Sequence, residues 1–149
     1  IEVVLKISRL GKNIEARYAH RYYDQITVGI DFTARDLQRK CIQEGRPWEI
    51  AKAFDQSAAV GSFIDLDSVP DPKAIHFQLA INKHIVQKGN TKDMIFSFDA
   101  IISYVSGFMT LKTGDLIFTG TPAGVGPVKI QDHLTATMEG QTLLDFWIK

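Results

Sequence analysis

Two carboxylates on predicted strands could hold a hard cation, and one of them, Asp31, stands in an apolar stretch where an uncompensated charge would be costly. Glu2 lies in the opening run "IEVVLKI", and Asp31 follows the apolar residues of "ITVGIDFT". An ionised carboxylate among apolar neighbours is costly unless it is paired or bound to a metal, and a hard cation such as Mg²⁺ prefers oxygen ligands. Glu2 and Asp31 are therefore candidate metal ligands. Two plainer interpretations stay open: a solvated strand carboxylate for Glu2, and a helix cap or an ion pair with Arg35 for Asp31.

Lys52 is a candidate for a cation that polarises a substrate carbonyl. It lies in "EIAKAFD", where Ile50, Ala51, Ala53 and Phe54 surround it in sequence. Such neighbours reduce the solvation of the ammonium group and strengthen its effect on nearby charge. The equally open alternative is a buried aliphatic stem beneath a solvent-facing ammonium group.

The segment "GDLIFTGTPAGVGP", residues 114–127, has the composition of a loop that holds an anion. A Walker-type phosphate loop requires Gly-Lys-Ser/Thr followed directly by a helix, whereas this loop runs into Pro127 and a strand-like segment. Phosphate is therefore disfavoured. Thr119 and Thr121 flank the backbone amide of Gly120, and such a group could hold a small carboxylate through hydroxyl and amide donors. A structural turn, with glycines for positive φ and prolines for rigidity, is the alternative.

The histidines and the cysteine form no recognisable catalytic or metal-binding pattern. No two of the four histidines stand at metal-ligand spacing, and a single cysteine permits no intrachain disulfide and disfavours a thiolate zinc site. No Ser–His or Cys–His arrangement offers a covalent nucleophile. We therefore predict surface or strand positions for the histidines and a packing role for the cysteine: His20, His76, His84, His133 and Cys41.

Strands must position most of these side chains, because β-branched runs bounded by turn residues outnumber the helical patterns. The sequence predicts strands at "IEVVLKI", "ITVGIDFT" and "GDLIFTG". It also predicts one hairpin that turns at Asn82-Lys83 and another that turns near Glu139-Gly140. Because only some of the strands alternate with helices, the predicted class is α+β with a large mixed sheet.

Four helices are predicted between the strands. Two short ones cover "IEARYAHRYYDQ" and "PWEIAKAF". A third covers "TARDLQRKCIQEG", with Thr33 as its N-cap and Gly45 as its stop. The longest covers "TKDMIFSFDAIISYVSGFM" from Thr91 as N-cap. Its predicted apolar stripe comprises Met94, Ile95, Phe98, Ile101, Ile102 and Val105.

Length and composition are typical of one soluble globular domain. Of the 149 residues, 45% are hydrophobic and 23% charged, with seventeen basic and seventeen acidic side chains. This balance argues against a nucleic-acid or membrane partner. The single cysteine and the absence of a signal-peptide pattern favour a cytoplasmic location. Since a strand begins at the first residue, we expect that an N-terminal part is missing from this sequence.

Three motifs, in this order and spacing, resemble those of the fumarylacetoacetate hydrolase family: "GIDFTARDLQ", "GRPWEIAKAFD" and "GDLIFTGTPAGVGPV". The likeness extends from Glu2 to Ile148 and is strongest to the small acylpyruvate hydrolase (acylpyruvase, oxaloacetate decarboxylase-like) members. It implies a single N-terminally truncated catalytic domain over residues 1–149. It also implies an α+β fold of the mixed β-sandwich roll type, a Mg²⁺ or Mn²⁺ site, and a homodimer.

The resemblance also implies a set of metal ligands. The family site combines an E-x-E strand pair with the aspartate of "G-x-D-x-[ST]-A-R-D". Asp31 matches that aspartate and Glu2 matches the second glutamate. The first glutamate would fall just before Ile1, outside this sequence. The N-terminal lid would also fall outside this sequence. In small family members this lid carries a His–Glu pair that activates the attacking water.

The substrate-contacting residues are implied in the same way. Gln38 in "ARDLQ" and Lys52 in "AKAF" match family residues that contact the substrate, and we assign them catalytic roles. Thr121 in "TGTP" matches a threonine that binds the substrate's carboxylate end, and Gly120 stands beside it. Arg35 fits the same motif, and we expect it mainly to hold the aspartates in place.

The implied activity is cleavage of a carbon–carbon bond in an acylpyruvate-type 1,3-dicarbonyl acid, with oxaloacetate decarboxylation as a related possibility. The cation would serve as a Lewis acid that stabilises the enolate leaving as pyruvate. Two alternatives remain open: a keto–enol isomerase or tautomerase of the same family, and a non-catalytic dimerisation or ligand-binding domain.

Overall fold

The computed structural model describes all residues of the chain, 1–149, as nine strands and two α-helices. In chain order these are β1 (Glu2–Ile7), β2 (Tyr23–Asp31), α1 (Arg35–Gln43), β3 (Ala58–Val60), β4 (Ile64–Asp65), β5 (His76–Ile81), β6 (His84–Asn90), α2 (Phe98–Phe108), β7 (Leu116–Phe118), β8 (His133–Met138) and β9 (Gln141–Trp147). Short 3₁₀ turns lie between them at Ala16–Arg21, Glu49–Ala51, Leu66–Ser68 and Thr91–Asp93.

The strands form two antiparallel sheets. One has the order β3-β2-β1-β7, with β4 also pairing with β2, and the other has the order β6-β5-β8-β9. The α+β class and the sandwich-like roll predicted from the sequence are confirmed. The strands divide between two antiparallel sheets instead of forming one large mixed sheet. Tight hairpins join β5 to β6 and β8 to β9, and a hairpin connection imposes antiparallel pairing.

The hydrophobic core lies between the two sheets. Alternate residues of β1 and β2 point inward, including Leu5 and Val28, and β8 contributes Leu134, Ala136 and Met138 from the opposite sheet. These side chains are almost completely buried, as expected where one face of each sheet meets the other. The outer faces carry the polar positions of the same strands. Neither α-helix has the length and apolar character needed to cross a bilayer.

Both predicted hairpin turns are confirmed. Asn82 and Lys83 have φ values of 51° and 69°, and Glu139 and Gly140 have φ values of 48° and 79°. Two consecutive residues with positive φ are the signature of the turns whose twist matches that of paired strands. The turn residues therefore fix the register of the second sheet.

Several predicted helix boundaries are wrong. The helix α1 begins at Arg35 without a side-chain cap, because the Thr33 hydroxyl turns back to the carbonyl of Asp31 at 3.5 Å. The longest helix begins at Phe98, where the Ser97 hydroxyl accepts from the N–H of Ala100. The two short helices are single 3₁₀ segments, Ala16–Arg21 and Glu49–Ala51.

The prediction of Thr91 as a cap fails because its hydroxyl is used elsewhere. It accepts from the N–H of Ile75 at 2.9 Å and donates to the carbonyl of Pro72 at 3.1 Å. The chain between Thr91 and Ser97 therefore does not continue as an α-helix. As a result, Ile95 leaves the predicted apolar stripe and is 91% exposed, whereas Phe98 and Ile102 are buried as expected.

Ser106 fastens α2 to the segment that follows β1. Its fully buried hydroxyl accepts from the N–H of Ile14 at 2.9 Å and donates to the carbonyl of Ser103 at 3.0 Å. We expect Ser106→Ala to lower the free energy of unfolding by about 1–3 kcal/mol, because it leaves the buried Ile14 N–H without a partner. Denaturant unfolding of the variant measures the loss. Ser103→Ala on the same helix is the matched control, since the Ser103 side chain makes no hydrogen bond, and an equal loss in both variants would contradict this account.

Candidate functional site

Glu2 lies at the start of β1 with its side chain on the face that it shares with the end of β2. The strand register places Gly29 directly opposite Glu2. A Cβ atom at Gly29 would lie 2.7 Å from side-chain atoms of both Phe118 and Val4, so only glycine fits the close packing beside the carboxylate. Glu2 itself is 7% exposed. An acidic side chain is thus held in a position where water reaches it poorly.

Burial is the main influence on the ionisation of Glu2, and it raises the pKa of this carboxyl group above its usual value. The N–H of Gly120 donates to Oε2 at 2.7 Å and partly opposes the rise in pKa, because this bond favours the ionised form. The negative charge of Asp31 raises the pKa further. A nearby positive charge would therefore stabilise the ionised form of Glu2.

Asp31 ends β2 two residues beyond Gly29, so its side chain lies on the same face of the sheet as Glu2. Its Oδ2 atom forms a close ion pair with the Nζ atom of Lys52. The partner of Asp31 is Lys52, so the ion pair with Arg35 that the sequence left open is not formed, and the role of Asp31 as a metal ligand stays a prediction. Both side chains are about one-third exposed, so the pair is accessible from outside.

Lys52 reaches Asp31 through two backbone contacts between distant parts of the chain. The N–H of Ala34 donates to the carbonyl of Ala51 at 3.0 Å, and the N–H of Phe32 donates to the carbonyl of Ser57 at 2.8 Å. These bonds place the segment of residues 49–57 along the end of β2. The ammonium group of Lys52 is therefore paired with Asp31 while it stays partly exposed, and its role toward a substrate stays a prediction.

The two carboxylates fit a divalent cation in their donor chemistry. Each uses one oxygen atom in the contacts just described, and neither Oε1 of Glu2 nor Oδ1 of Asp31 makes a hydrogen bond within the protein. Carboxylate oxygens are the ligands that Mg²⁺ and Mn²⁺ prefer. The chain brings together no group of three or more His, Cys, Asp or Glu side chains that could hold a metal ion, and Glu2 and Asp31 stay two candidate ligands.

The Gly-rich loop after β7 is bound to β1. Gly120, at a φ of 104°, donates its N–H to Glu2, and the hydroxyl of Thr119 donates to the carbonyl of Val3 at 2.8 Å. The predicted amide donor thus does bind a carboxylate, but that carboxylate belongs to the protein. A substrate-binding role for Gly120 stays a prediction, and it would require the N–H to be shared.

Thr121 lies beside the same strand, where it contacts a residue that the sequence did not single out. Its hydroxyl donates to the carbonyl of Ile1 at 2.8 Å and accepts from Nε2 of Gln87 at 3.0 Å. Gln87 is 5% exposed. A glutamine within the alternating strand "HIVQKGN" was the available signal, because a buried amide must find hydrogen-bond partners.

Gln38 and Arg35 lie on α1 and contact each other. The Nη1 atom of Arg35 donates to Oε1 of Gln38 at 3.0 Å. Arg35 does not hold the aspartates in place as expected. It forms no ion pair with Asp31 or Asp36, and Asp31 is paired with Lys52. Neither side chain hydrogen-bonds to the metal-ligand candidates. Their roles toward a substrate stay predictions.

A cleft of about 370 Å³ opens along the loop. Residues 119–122 form one side, and Met94, Phe96 and Ile101 contribute apolar surface on another. Glu2, Asp31 and Lys52 do not line this cleft. Its connection to the carboxylates is Gly120, which lines the cleft and donates its N–H to Glu2.

The histidines and the cysteine lie outside this arrangement, as predicted. His133 bonds Asp145 at 2.7 Å and stacks on Trp147, and Cys41 is buried on α1. Neither one contacts Glu2, Asp31 or Lys52 through a hydrogen bond.

Comparison with known proteins gives one consistent result. A family model described as fumarylacetoacetate (FAA) hydrolase C-terminal matches residues 1–146. The mitochondrial oxaloacetate tautomerase of Mus musculus is 40% identical over 149 residues, which is 100% of this chain and 67% of that protein. The corresponding protein of Homo sapiens is 44% identical over the same length, with the same shares covered.

Comparison with solved structures indicates the same family. A fumarylacetoacetate hydrolase family protein from Yersinia pestis superposes with a TM-score of 0.95 at 38% identity, over 99% of this chain and 68% of that one. Fumarylpyruvate hydrolase from Pseudomonas aeruginosa, solved in complex with Mn²⁺ and pyruvate, superposes with a TM-score of 0.92 at 35% identity, over 99% of this chain and 63% of that one.

Proposed function

The chain belongs to the fumarylacetoacetate hydrolase family, whose members include hydrolases, isomerases and tautomerases. We therefore propose that it cleaves a carbon–carbon bond in acylpyruvate-type 1,3-dicarbonyl acids with the help of Mg²⁺ or Mn²⁺. The observation that carries the proposal is the ion pair of Asp31 and Lys52 on the face that also holds Glu2. It combines oxygen ligands for a cation with a positive side chain for a substrate.

Glu2 and Asp31 are the residues of this chain that would hold the cation, through the oxygen atoms that make no bond within the protein. When bound, a divalent cation polarises carbonyl oxygens and stabilises the negative charge that develops on them. The Mn²⁺ and pyruvate in the Pseudomonas aeruginosa structure support this choice of ligand and acid. Burial of Glu2 supports it too, because a cation offsets the cost of the buried charge.

Lys52 supplies a fixed positive charge and a proton at Nζ. In the cleavage, water loses a proton to a base and adds to the acyl carbon, and the bond to C3 of the pyruvate part breaks. The electron pair passes to C3 as the enolate of pyruvate, C3 then takes up a proton, and the acyl part leaves as a carboxylic acid. The ammonium group of Lys52 stabilises that charge as it forms, and an already oriented charge costs little reorganisation. Asp31 holds the ammonium group in place.

Gln38 and Thr121 orient the two ends of the acid. The carboxamide oxygen of Gln38 accepts from Arg35, which leaves its NH₂ group to donate to a substrate carbonyl. Arg35 would contribute to substrate binding by holding the Gln38 side chain in place. Thr121 and the neighbouring Gly120 bind the carboxylate of the substrate.

Oxaloacetate tautomerisation is the second candidate. The 40% identity to the mouse oxaloacetate tautomerase over the whole chain favours it. It requires the same enolate but only moves a proton between oxygen and C3, without breaking the carbon chain. Oxaloacetate decarboxylation shares this enolate as well, with CO₂ as the leaving group.

Product analysis distinguishes these activities. The full-length protein is incubated with acetylpyruvate or oxaloacetate in the presence of Mn²⁺, and the products are followed by NMR. We expect equal amounts of acetate and pyruvate from acetylpyruvate. Exchange between keto and enol forms with no second fragment would support the tautomerase instead, and the absence of turnover on both acids would favour a non-catalytic binding domain.

Homodimeric assembly and a cytoplasmic location are further parts of this proposal. Exposed apolar side chains lie before and along α2, namely Ile95, Phe96, Tyr104, Phe108 and Met109. Apolar surface of this kind marks interaction sites on folded proteins. It supports an assembly in which this side of the chain is covered.

A further inference from the structure

The first residues of the Gly-rich loop make a contact with Glu2 that the function proposed above does not use. The pairing of β1 with β7 ends where Val4 lies opposite Phe118, and the loop begins at the next residue, Thr119. Beyond it, the N–H of Gly120 donates to Oε2 of Glu2 at 2.7 Å. A backbone donor of the loop is thus bonded to the side chain of a candidate metal ligand.

Thr119 fastens this part of the loop to β1. Its backbone N–H and its hydroxyl both donate to the carbonyl of Val3, at 3.2 and 2.8 Å. Val3 directly follows Glu2 in β1. The two bonds therefore hold the peptide unit between Thr119 and Gly120 beside the Glu2 side chain.

The conformation of Gly120 is one that glycine adopts easily and other residues adopt rarely, with a φ of 104°. A Cβ atom at this position would have no neighbouring atom within 4 Å, so the surrounding space does not require glycine. The requirement is conformational. A residue with a Cβ atom would rotate away from this φ, and the peptide units on either side would turn with it.

The contact distinguishes the two oxygen atoms of Glu2. Oε2 accepts the N–H of Gly120, whereas Oε1 makes no hydrogen bond within the protein. Groups that hydrogen-bond to a metal ligand from behind fix its orientation, and their loss weakens metal binding. The position of the Gly120 N–H therefore determines which oxygen atom of Glu2 is available.

We infer that Gly120 is a positioning residue, which holds Oε2 of Glu2 through its N–H and leaves Oε1 for a divalent cation, while Thr119 keeps this peptide unit in place. The inference rests on the proposed function, because it presupposes that Glu2 binds a cation. It goes beyond that function by assigning the orientation of a metal ligand to the backbone of the loop. It needs no contact between Gly120 and a substrate.

Gly120→Ala tests the inference, and Gly114→Ala is its matched control. Gly114 lies at the other end of β7, with a φ of 92° and open space for a Cβ atom. Its N–H also donates to β1, but to the backbone carbonyl of Ile7 at 2.7 Å. Both variants strain the backbone in the same way, and only one does so beside Glu2. Calorimetric titration of Mn²⁺ into the metal-free full-length protein measures affinity, and denaturant unfolding measures stability.

We expect Gly120→Ala to bind Mn²⁺ about tenfold to a hundredfold more weakly than wild type, the loss typical when a group that orients a metal ligand is removed. Gly114→Ala should lose stability to a similar extent, because alanine is strained at either φ. Its affinity for Mn²⁺ should stay within about twofold of wild type, since its N–H bonds to backbone away from Glu2.

Variants of Thr119 test the second part of the inference. Thr119→Val removes the hydroxyl, while the N–H of residue 119 still bonds to the carbonyl of Val3. We expect Mn²⁺ binding to weaken about threefold to tenfold, the loss typical of one neutral hydrogen bond, and Thr119→Ser to restore it. Thr113→Val is the matched control, because its hydroxyl donates to the carbonyl of Ser8, beyond the other end of β1.

Two results would overturn the inference and leave the proposed function intact. One is an equal loss of Mn²⁺ affinity in Gly120→Ala and Gly114→Ala, which would show a general effect of backbone strain. The other is wild-type Mn²⁺ affinity in Gly120→Ala or, if that variant does not fold, in Thr119→Val. A wild-type protein that binds no Mn²⁺ would overturn the proposed function, and this inference with it.

Discussion

Replacing Asp31 by alanine is expected to weaken the binding of Mn²⁺ or Mg²⁺ by about a hundredfold or more, since changes merely to groups behind a metal ligand already cost about 10–100-fold. The variant keeps Glu2 but loses the second carboxylate on the same face of the sheet. It also leaves the ammonium group of Lys52 without its partner, close to where a cation would bind. Calorimetric titration of Mn²⁺ into the metal-free protein measures the change.

The variant should remain folded, which keeps the result interpretable. The ion pair of Asp31 and Lys52 is about one-third exposed, and pairs accessible to solvent contribute only about 0–1 kcal/mol. Asp36→Ala is the matched control, because Asp36 is an exposed residue on α1 without an ion pair. Equal Mn²⁺ affinity in wild type, Asp31→Ala and Asp36→Ala would show that the ligand assignment is wrong.

Replacing Lys52 by alanine is expected to lower kcat by about 10²–10³-fold, the loss typical when a single group that stabilises an oxyanion is removed. Metal affinity should not fall, because the ammonium group is not a ligand and its removal relieves repulsion of a cation. Steady-state kinetics on acetylpyruvate, combined with the Mn²⁺ titration, separates the two effects.

Lys40→Ala controls for the loss of a positive charge, since Lys40 is exposed on α1 and forms no ion pair. A variant at Lys52 that keeps its full kcat would remove this residue from the mechanism. A variant that loses metal affinity in parallel with activity would instead assign Lys52 to holding Asp31.

The parts of the fold that local sequence determines were predicted well. The hairpins at Asn82-Lys83 and Glu139-Gly140 follow from turn residues that accept positive φ. The helix starts were predicted less well, because a threonine before an apolar run is also able to bond to distant backbone. Thr91 does so with Ile75 and Pro72, contacts that join the chain after β6 to the chain before β5.

In the candidate site, too, the residues in local motifs were predicted and the contacts between distant segments were not. Asp31 was predicted from a charged residue in an apolar strand and Glu2 from its match to the family motif, and the strand register places both on one face. The contact of Asp31 with Lys52 depends on backbone bonds such as that between Ala34 and Ala51, which no local pattern indicates. The sequence therefore favoured Arg35, four residues away, over Lys52, and the signal for Gln87, a glutamine within an alternating strand, was not used.

We propose that cleavage of an acylpyruvate needs a divalent cation held by Glu2 and Asp31. The most direct test is the rate of pyruvate release from acetylpyruvate by the full-length protein, measured after metal removal by a chelator and again after Mn²⁺ is restored. We expect release to stop without metal and to return with Mn²⁺. Release at an unchanged rate from metal-free protein, or none with Mn²⁺ present, would contradict it.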